Sequence, residues 1–418
     1  MTKLNDKPHL IRPFAGLRPN PKFAADVAAP PYDVLSTDEA RARAAGKPWS
    51  FLHISKAEID LPPGTDPYSP QVYDKAAANL DRMLKDVVLL RDDRPCLYVW
   101  RMVMEGLTQT GLAVAASVAE YDRNRIRRHE LTRPDKEDDR VRQVEALNAQ
   151  TGPVLLVYPA APEVDAILAQ VSAGDPDCDL VADTGVRHSL WRVGDGDLLA
   201  QLVAAFDAMP ALYIADGHHR SAAASRVAAR RRQGGAPGNA SHEYFLAVAF
   251  PQHQMHILPY NRVVKDLNGL SKQVLLEKVG ERFWVEESVA PIAPTQAASF
   301  GLYVEGEWYK LSIRPELIPE ADPVRRLDVS LLADNLLGPV LGIGDARRDQ
   351  RIDFVGGIRG LEALARRVDS GEMACAFSLF AASLADLMAA ADAKQIMPPK
   401  STWFEPKLVD GLVSHVLD

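Results

Sequence analysis

The run Ala211–Arg226, "ALYIADGHHRSAAASR", places an acid, a glycine, two histidines and an arginine between an apolar segment and an alanine-rich helix former. Gly217 permits a tight turn, and the residues after it favour helix by composition. A helix start presents unpaired N–H groups and the positive end of the helix dipole, which suits an anion. His219 and Arg220 could add charge-assisted donors to a phosphate, while Asp216 could hold Mg2+ or accept a proton. A plainer reading makes Asp216 an N-cap and the histidines a solvated pair.

A second group is "RIRRHELTRPDKEDDR", Arg125–Arg140. Thr132 followed three residues later by Asp135, with Pro134 between them, is close to a capping box and predicts a helix start. On that helix Arg133, Lys136 and Arg140 share one cationic stripe able to grip phosphate, with His129 and Glu130 just before it. Glu130 then becomes a candidate general base. The alternative is a solvated helix with local ion pairs.

Two further groups are weaker. His253 and His256 have H-x2-H spacing within a histidine-rich region that includes His218, His219 and His242, which admits a zinc-dependent hydrolase as an alternative. In "MPPKSTWFEPKL" the Lys400, Ser401 and Thr402 triplet follows a double proline without the glycines of a P-loop, so it could carry a lysine and hydroxyls to a pocket edge or form a surface turn.

The elements that must position these groups follow from periodicity. Apolar residues from Val72 to Val88 keep the 3.6-residue period, predicting a helix over 71–90. "PCLYVWRMVM" and "LTQTGLAVAASVAEY" flank Glu105-Gly106 and read as a β-hairpin. "PVLLVYP", "RHSLWRVG", "ALYIA", "EYFLAVAF", "FGLYVEGEWYKLSIR" and "ACAFSLF" read as strands. "EVDAILAQV", "LLAQLVAAFDAM", "DVSLLADNLL", "GIRGLEALARRVD" and "LADLMAAADA" read as helices. The proline-rich start to Pro31 reads as an extended wrap. The fold class is α+β (mixed α/β), with two lobes.

The chain has 418 residues with 48 Lys+Arg against 56 Asp+Glu, a net charge of -8 that opposes general nucleic-acid binding. Its three cysteines are scattered, so no disulfide framework is expected. The N-terminus lacks a secretory h-region and no apolar run reaches the roughly 20 residues of a membrane span. A cytoplasmic protein without membrane partners is the expectation. Serine-hydrolase, Rossmann and protein-kinase motifs are missing.

Together "RPFAGLRPNP", "VAAPPYDVLS", "RHELTRPDKEDDR", "PVLLVYP", "YIADGHHRSAAA", "LDVSLL" and "MPPKSTWFEPKLVDGLV" resemble the domain-of-unknown-function family numbered ten-fifteen over nearly the whole chain. "IADGHHRSAAA" also resembles the G-x-H-R turn of the ParB, sulfiredoxin and free-serine-kinase superfamily. The resemblance implies a ParB/sulfiredoxin-like core elaborated by additional sheet and helices. It divides the chain into an N-terminal lobe (1–150), a ParB-like segment (151–265) and a C-terminal region packing on the same core (266–418).

The implied cofactors are ATP or ADP with Mg2+, and the implied activity is phosphoryl transfer to a small hydroxyl substrate such as free L-serine. The nucleotide-binding set is then Gly217, His218, Arg220 and Ser221, with Arg133, Lys136 and Arg140, and with Lys400, Ser401 and Thr402. Glu130, Asp216 and His219 are the catalytic candidates, and Asp216 and Asp139 the candidate Mg2+ ligands. Besides nucleotide and substrate, a second copy of the chain is a candidate partner. A ParB-like regulatory module that binds nucleotide without chemistry is the alternative.

Overall fold

Most strands and helices fall where the periodicities put them, in a mixed α+β arrangement with several sheets, although the proline-rich start expected to be extended carries helical turns at Pro21–Phe23 and Ala24–Val27. A computed structural model describes residues 9–418. The first eight residues, part of the stretch read above for a secretory signal, lie outside the described residues. The chain forms two compact units, Met1–Met255 with Pro406–Asp418, and His256–Glu405. This differs from the expected three-part division: strands on both sides of residue 150 share one sheet, and the C-terminal stretch returns to the first unit.

The first unit is built on a nine-stranded sheet. Its strands are β1 (Ile11–Arg12), β2 (Leu97–Met104), β3 (Leu107–Ser117), β4 (Ile126–Arg127), β5 (Val154–Tyr158), β6 (Cys178–Val181), β7 (Arg187–Val193), β8 (Leu212–Asp216) and β9 (Tyr244–Pro251). Their spatial order is β4-β8-β5-β9-β3-β2-β7-β6, with β1 beside β3. The β5/β9 and β4/β8 pairs are parallel and the rest antiparallel. β5 and β9 are buried along their whole length, because a strand covered on both faces has no polar side to show. The hairpin between β2 and β3 turns on Glu105 and Gly106, both at positive φ.

Five helices matter here: α1 (Pro70–Lys85), α2 (Pro134–Leu147), α3 (Pro162–Val171), α4 (Gly196–Ala208) and α5 (His218–Gln233). Val164 and Leu168 of α3 and Leu202 and Phe206 of α4 join Val99, Val114, Leu156 and Ile214 in the main core. Each such fully buried side chain contributes about 1.5–3 kcal/mol. Ala224 and Ala228 turn α5 toward this core, whereas Ala223 and Val227 meet Val141 of α2 and Leu417. Small residues on α5 thus let it lie between sheet and α2. Helix α1 ends at Lys85, earlier than its apolar pattern suggests, because Val87 adopts φ 59 and the chain turns into a strand at Leu89–Arg91.

The second unit carries a six-stranded antiparallel sheet of β10 (Tyr260–Val264), β11 (Phe283–Ser288), β12 (Ser299–Val304), β13 (Glu307–Ile313), β14 (Ile352–Gly356) and β15 (Cys375–Leu379). Its order is β11-β13-β12-β15-β10-β14. Val263, Tyr303, Trp308, Val355, Leu364 and Ala376 form its core. No described helix is long and apolar enough to cross a membrane.

Candidate functional site

Strand β8 delivers Asp216 to the start of α5. Its register against β5 shifts between Ile214 and Asp216, an irregularity of the kind that re-aims a side chain. Gly217 follows at φ 96, a conformation that only glycine adopts at little cost. A Cβ there would lie 3.0 Å from Arg220 Nε and 3.2 Å from Val154 Cα, so the turn also needs the missing side chain for space. No side chain caps α5. The amides of Arg220 and Ser221 donate to the Gly217 carbonyl at 2.9 and 3.1 Å, while those of His218 and His219 precede any intrahelical partner.

The two charged stretches of the sequence meet at this helix start. The Arg133 amide donates to His219 Nε2 at 3.0 Å, which makes Nδ1 the donor nitrogen of a neutral His219. The His129 amide reaches His218 Nε2 at 3.5 Å, and the two rings meet edge to face with centroids 4.5 Å apart. Glu130 Oε2 lies 4.0 Å from His218 Nδ1. His129 also hydrogen-bonds the Ile214 carbonyl, and its Nδ1 has no partner.

Burial opposes charge on these imidazoles. It pushes His129 down to about 4, and it holds His218 well below its ordinary value with the help of neighbouring His129. His219 is lowered too, by burial, although Asp33 and Glu137 pull the other way.

Around Arg220 stands a ring of groups from distant parts of the chain. Its Nη1 donates to the Pro153 carbonyl, and its Nη2 lies 3.7 Å from Asp33 Oδ2 and 3.8 Å from Asp216 Oδ1. Burial opposes its charge, but Asp33 and Asp216 outweigh that and strengthen its hold on the proton. Asp216 accepts from the Gly217 amide at 2.8 Å through Oδ1 and from Lys407 Nζ at 3.1 Å through Oδ2. Burial would raise its pKa, yet Lys407 and Arg220 keep its carboxyl below the usual carboxylate range. Beneath lies a cavity of about 30 Å3 lined by Tyr32, Arg140, Gln143, Gly152, Arg220 and Asp410, room for a water molecule. Burial pushes the Asp410 carboxyl up to about 7 against the pull of Arg220.

A family model described as a protein of unknown function, DUF1015, matches residues 11–330. The chain belongs to that family. No curated protein matches this DUF1015 chain. Among solved structures it is similar to a free serine kinase in complex with AMP, at 14% identity and TM-score 0.34 over 70% of this chain and 86% of the other. It is also similar to a conserved hypothetical protein from Pyrococcus furiosus, at 14% identity and TM-score 0.35, covering 72% and 94% of the two chains. A C-terminally truncated SbnI from Staphylococcus aureus gives 10% identity and TM-score 0.36, covering 70% and 82%. Similarity at this level assigns no ligand to the DUF1015 chain.

The residues singled out in the DUF1015 sequence fare differently. Gly217, His218, His219, Arg220, Asp216 and Glu130 gather at the start of α5. Ser221 is fully buried and its hydroxyl donates to the His218 carbonyl at 3.0 Å, so it braces the first turn. Arg133 is the N-cap of α2 rather than Thr132, whose hydroxyl reaches Glu137 instead of capping. The stripe on α2 is divided: Arg133 is exposed and pairs with Asp135, Lys136 Nζ meets Tyr68 Oη at 2.5 Å, and Arg140 is half-buried over the Tyr32 ring. Asp139 accepts from Tyr73 Oη at 2.8 Å on one oxygen and from Arg140 at 2.6 Å on the other.

Asp139 and Asp216, the expected Mg2+ ligands, sit in separate networks, Asp139 with Tyr73 and Arg140 and Asp216 with the Gly217 amide and Lys407. Lys400, Ser401 and Thr402 belong to the second unit, where Lys400 Nζ lies over the Tyr260 ring and Ser401 Oγ donates to the Pro398 carbonyl at 2.7 Å. Among the described residues, the group whose ligand atoms cluster closely enough for a metal is His129, Glu130 and His218, without His242, His253 or His256.

Tyr32, Asp33, Lys407 and Asp410 were not singled out for chemistry. Tyr32 and Asp33 lie inside "VAAPPYDVLS", within the matched residues 11–330, whereas Lys407 and Asp410 lie inside "MPPKSTWFEPKLVDGLV", beyond them.

Proposed function

We propose that the start of α5 binds the phosphates of ATP or ADP and that the protein transfers a phosphoryl group to a small hydroxyl substrate, with free L-serine the leading candidate. The observation that carries this reading is the hydrogen bond between the Arg133 amide and His219, with Glu130 4.0 Å from His218, because it joins an acid to an uncapped helix N-terminus. The amides of His218 and His219 and the His219 Nδ1–H supply donors to phosphate oxygens, and the helix dipole favours the negative charge. Glu130 takes the proton of the attacking hydroxyl as the new O–P bond forms and the bond to the leaving nucleotide breaks. Positioning and charge stabilisation supply most of the rate in such transfers.

A second reading has its own support. Arg220 is already engaged by Pro153, Asp33 and Asp216, as suits a structural strut in a module that binds nucleotide without chemistry. Incubation with ATP or ADP, Mg2+ and a panel of amino acids, followed by phosphorus NMR, separates the two. A phosphorylated acceptor supports the transferase, bound nucleotide without product supports the module, and no nucleotide binding overturns both.

A further inference from the structure

We propose that His129, Glu130 and His218 form a binding site for a divalent transition-metal ion of the zinc class. One ligand atom from each of the three lies within 4.8 Å of the others. His129 is 2% exposed, and its Nδ1 is buried without a hydrogen-bond partner. A buried imidazole nitrogen left unpaired costs desolvation that an ion would offset.

The surroundings favour the same conclusion. The other side of the His129 ring bonds the Ile214 carbonyl, the outer contact that fixes tautomer and ring orientation in metal-ligating histidines. His218 is held loosely, since the 3.5 Å contact from the His129 amide is at the edge of hydrogen bonding, so its ring can turn a nitrogen toward an ion. Glu130 is 40% exposed and supplies both the third ligand and the route of entry.

Ligand chemistry selects the metal. Two imidazoles and one carboxylate suit Zn2+ and its transition-metal neighbours, whereas Mg2+ and Ca2+ prefer oxygen sets. Around a zinc ion with bonds of about 2.0–2.2 Å, tetrahedral ligand atoms stand roughly 3.4 Å apart, so ligand atoms that lie within 4.8 Å of one another need only a small side-chain adjustment to close on an ion. Three protein ligands leave the fourth position open to water. The ion site stands on geometry alone. Its consequence rests on the proposed phosphoryl transfer: a bound ion withdraws Glu130 from proton acceptance, so excess Zn2+ inhibits.

The test uses the full chain, stripped with a chelator and titrated with Zn2+ by calorimetry and with Co2+ by visible absorption. One ion per chain and the intense visible bands of four-coordinate Co2+ are expected. Glu130→Gln should weaken binding by at least about tenfold, and His129→Ala should abolish it, with circular dichroism confirming that both variants fold. Absent stoichiometric binding, or undiminished binding in a folded Glu130→Gln variant, overturns the site. Binding is read without nucleotide or acceptor, so failure of the phosphotransferase assay leaves this result standing.

Discussion

Replacing Gly217 with alanine tests the geometry of the turn most sharply, because two separable costs meet there. The first is backbone strain: at φ 96 an L-residue pays about 1–2 kcal/mol. Gly235, at φ 87 with nothing within 4 Å of a built Cβ, carries that cost alone and serves as the control. The second cost belongs to Gly217 only. Its Cβ would press on Arg220 Nε at 3.0 Å and Cζ at 3.1 Å on one side and on Val154 Cα at 3.2 Å on the other. Val154 is backbone of the buried strand β5, so Arg220 must yield and weaken its bond to Pro153 and its pairs with Asp33 and Asp216. Losing a hydrogen bond of a charged group costs about 1.5–3 kcal/mol.

Urea unfolding should therefore show Gly217→Ala less stable than Gly235→Ala by about 2 kcal/mol. Calorimetric titration should show its affinity for ADP reduced by about tenfold or more, which is 1.4 kcal/mol. Equal stability losses in the two variants with wild-type ADP affinity would refute the view that Gly217 is required by the packing of Arg220 and by the anion cradle.

Other perturbations follow from the same geometry. Asp410 is raised to about 7, so between pH 4 and 7 the native state holds a proton that the unfolded chain has released, and stability falls as pH rises through that window. Asp410→Asn should flatten this slope in denaturation curves and leave the variant more stable than wild type above pH 7, by up to about 4 kcal/mol. His129, His188 and His415 are each pushed down to about 4 by burial, so the unfolded chain takes up their protons first. Their stabilising effect is complete above pH 6.5 and lost as pH falls toward 4, which acid unfolding followed by tryptophan fluorescence should reveal. His219→Ala removes a phosphate donor while leaving the buried Arg220 network in place, and should weaken ADP binding by about 1–2 kcal/mol with little change in the unfolding midpoint. Lys407→Ala strips Asp216 of the nearer of its two cations, leaving Arg220, and should raise the Asp216 pKa, readable by carboxyl NMR as a titration moving upward.

Much of the site was legible in the sequence because its parts obey local rules. A glycine after an apolar strand and before an alanine-rich run can be little other than a strand-to-helix turn, and Gly217 is one. The hairpin at Glu105-Gly106 and the helices α3 and α4 follow from sequence pattern, and α5 from its alanine-rich composition. Local rules failed where a distant partner competed. Thr132 had the spacing of a capping residue, yet Glu137 draws its hydroxyl away. Arg140 read as one member of a surface stripe, but it turns inward to Tyr32 and Asp139 and is half-buried. Asp33, Lys407 and Asp410 sit in connections without periodicity, and only the closing of the first unit brings Asp33 and Asp410 near Arg220 and Lys407 to Asp216. His129 was hidden by its neighbours, since a run so rich in charge suggests solvent rather than a buried ring.

The central claim is that the uncapped start of α5 is a nucleotide-phosphate cradle, and a crystal structure grown with ADP tests it most directly. Phosphate oxygens are expected within hydrogen-bond distance of the His218 and His219 amides, with the His219 ring as a further donor. Ordered ADP elsewhere on the chain, with those amides facing only solvent, would contradict it.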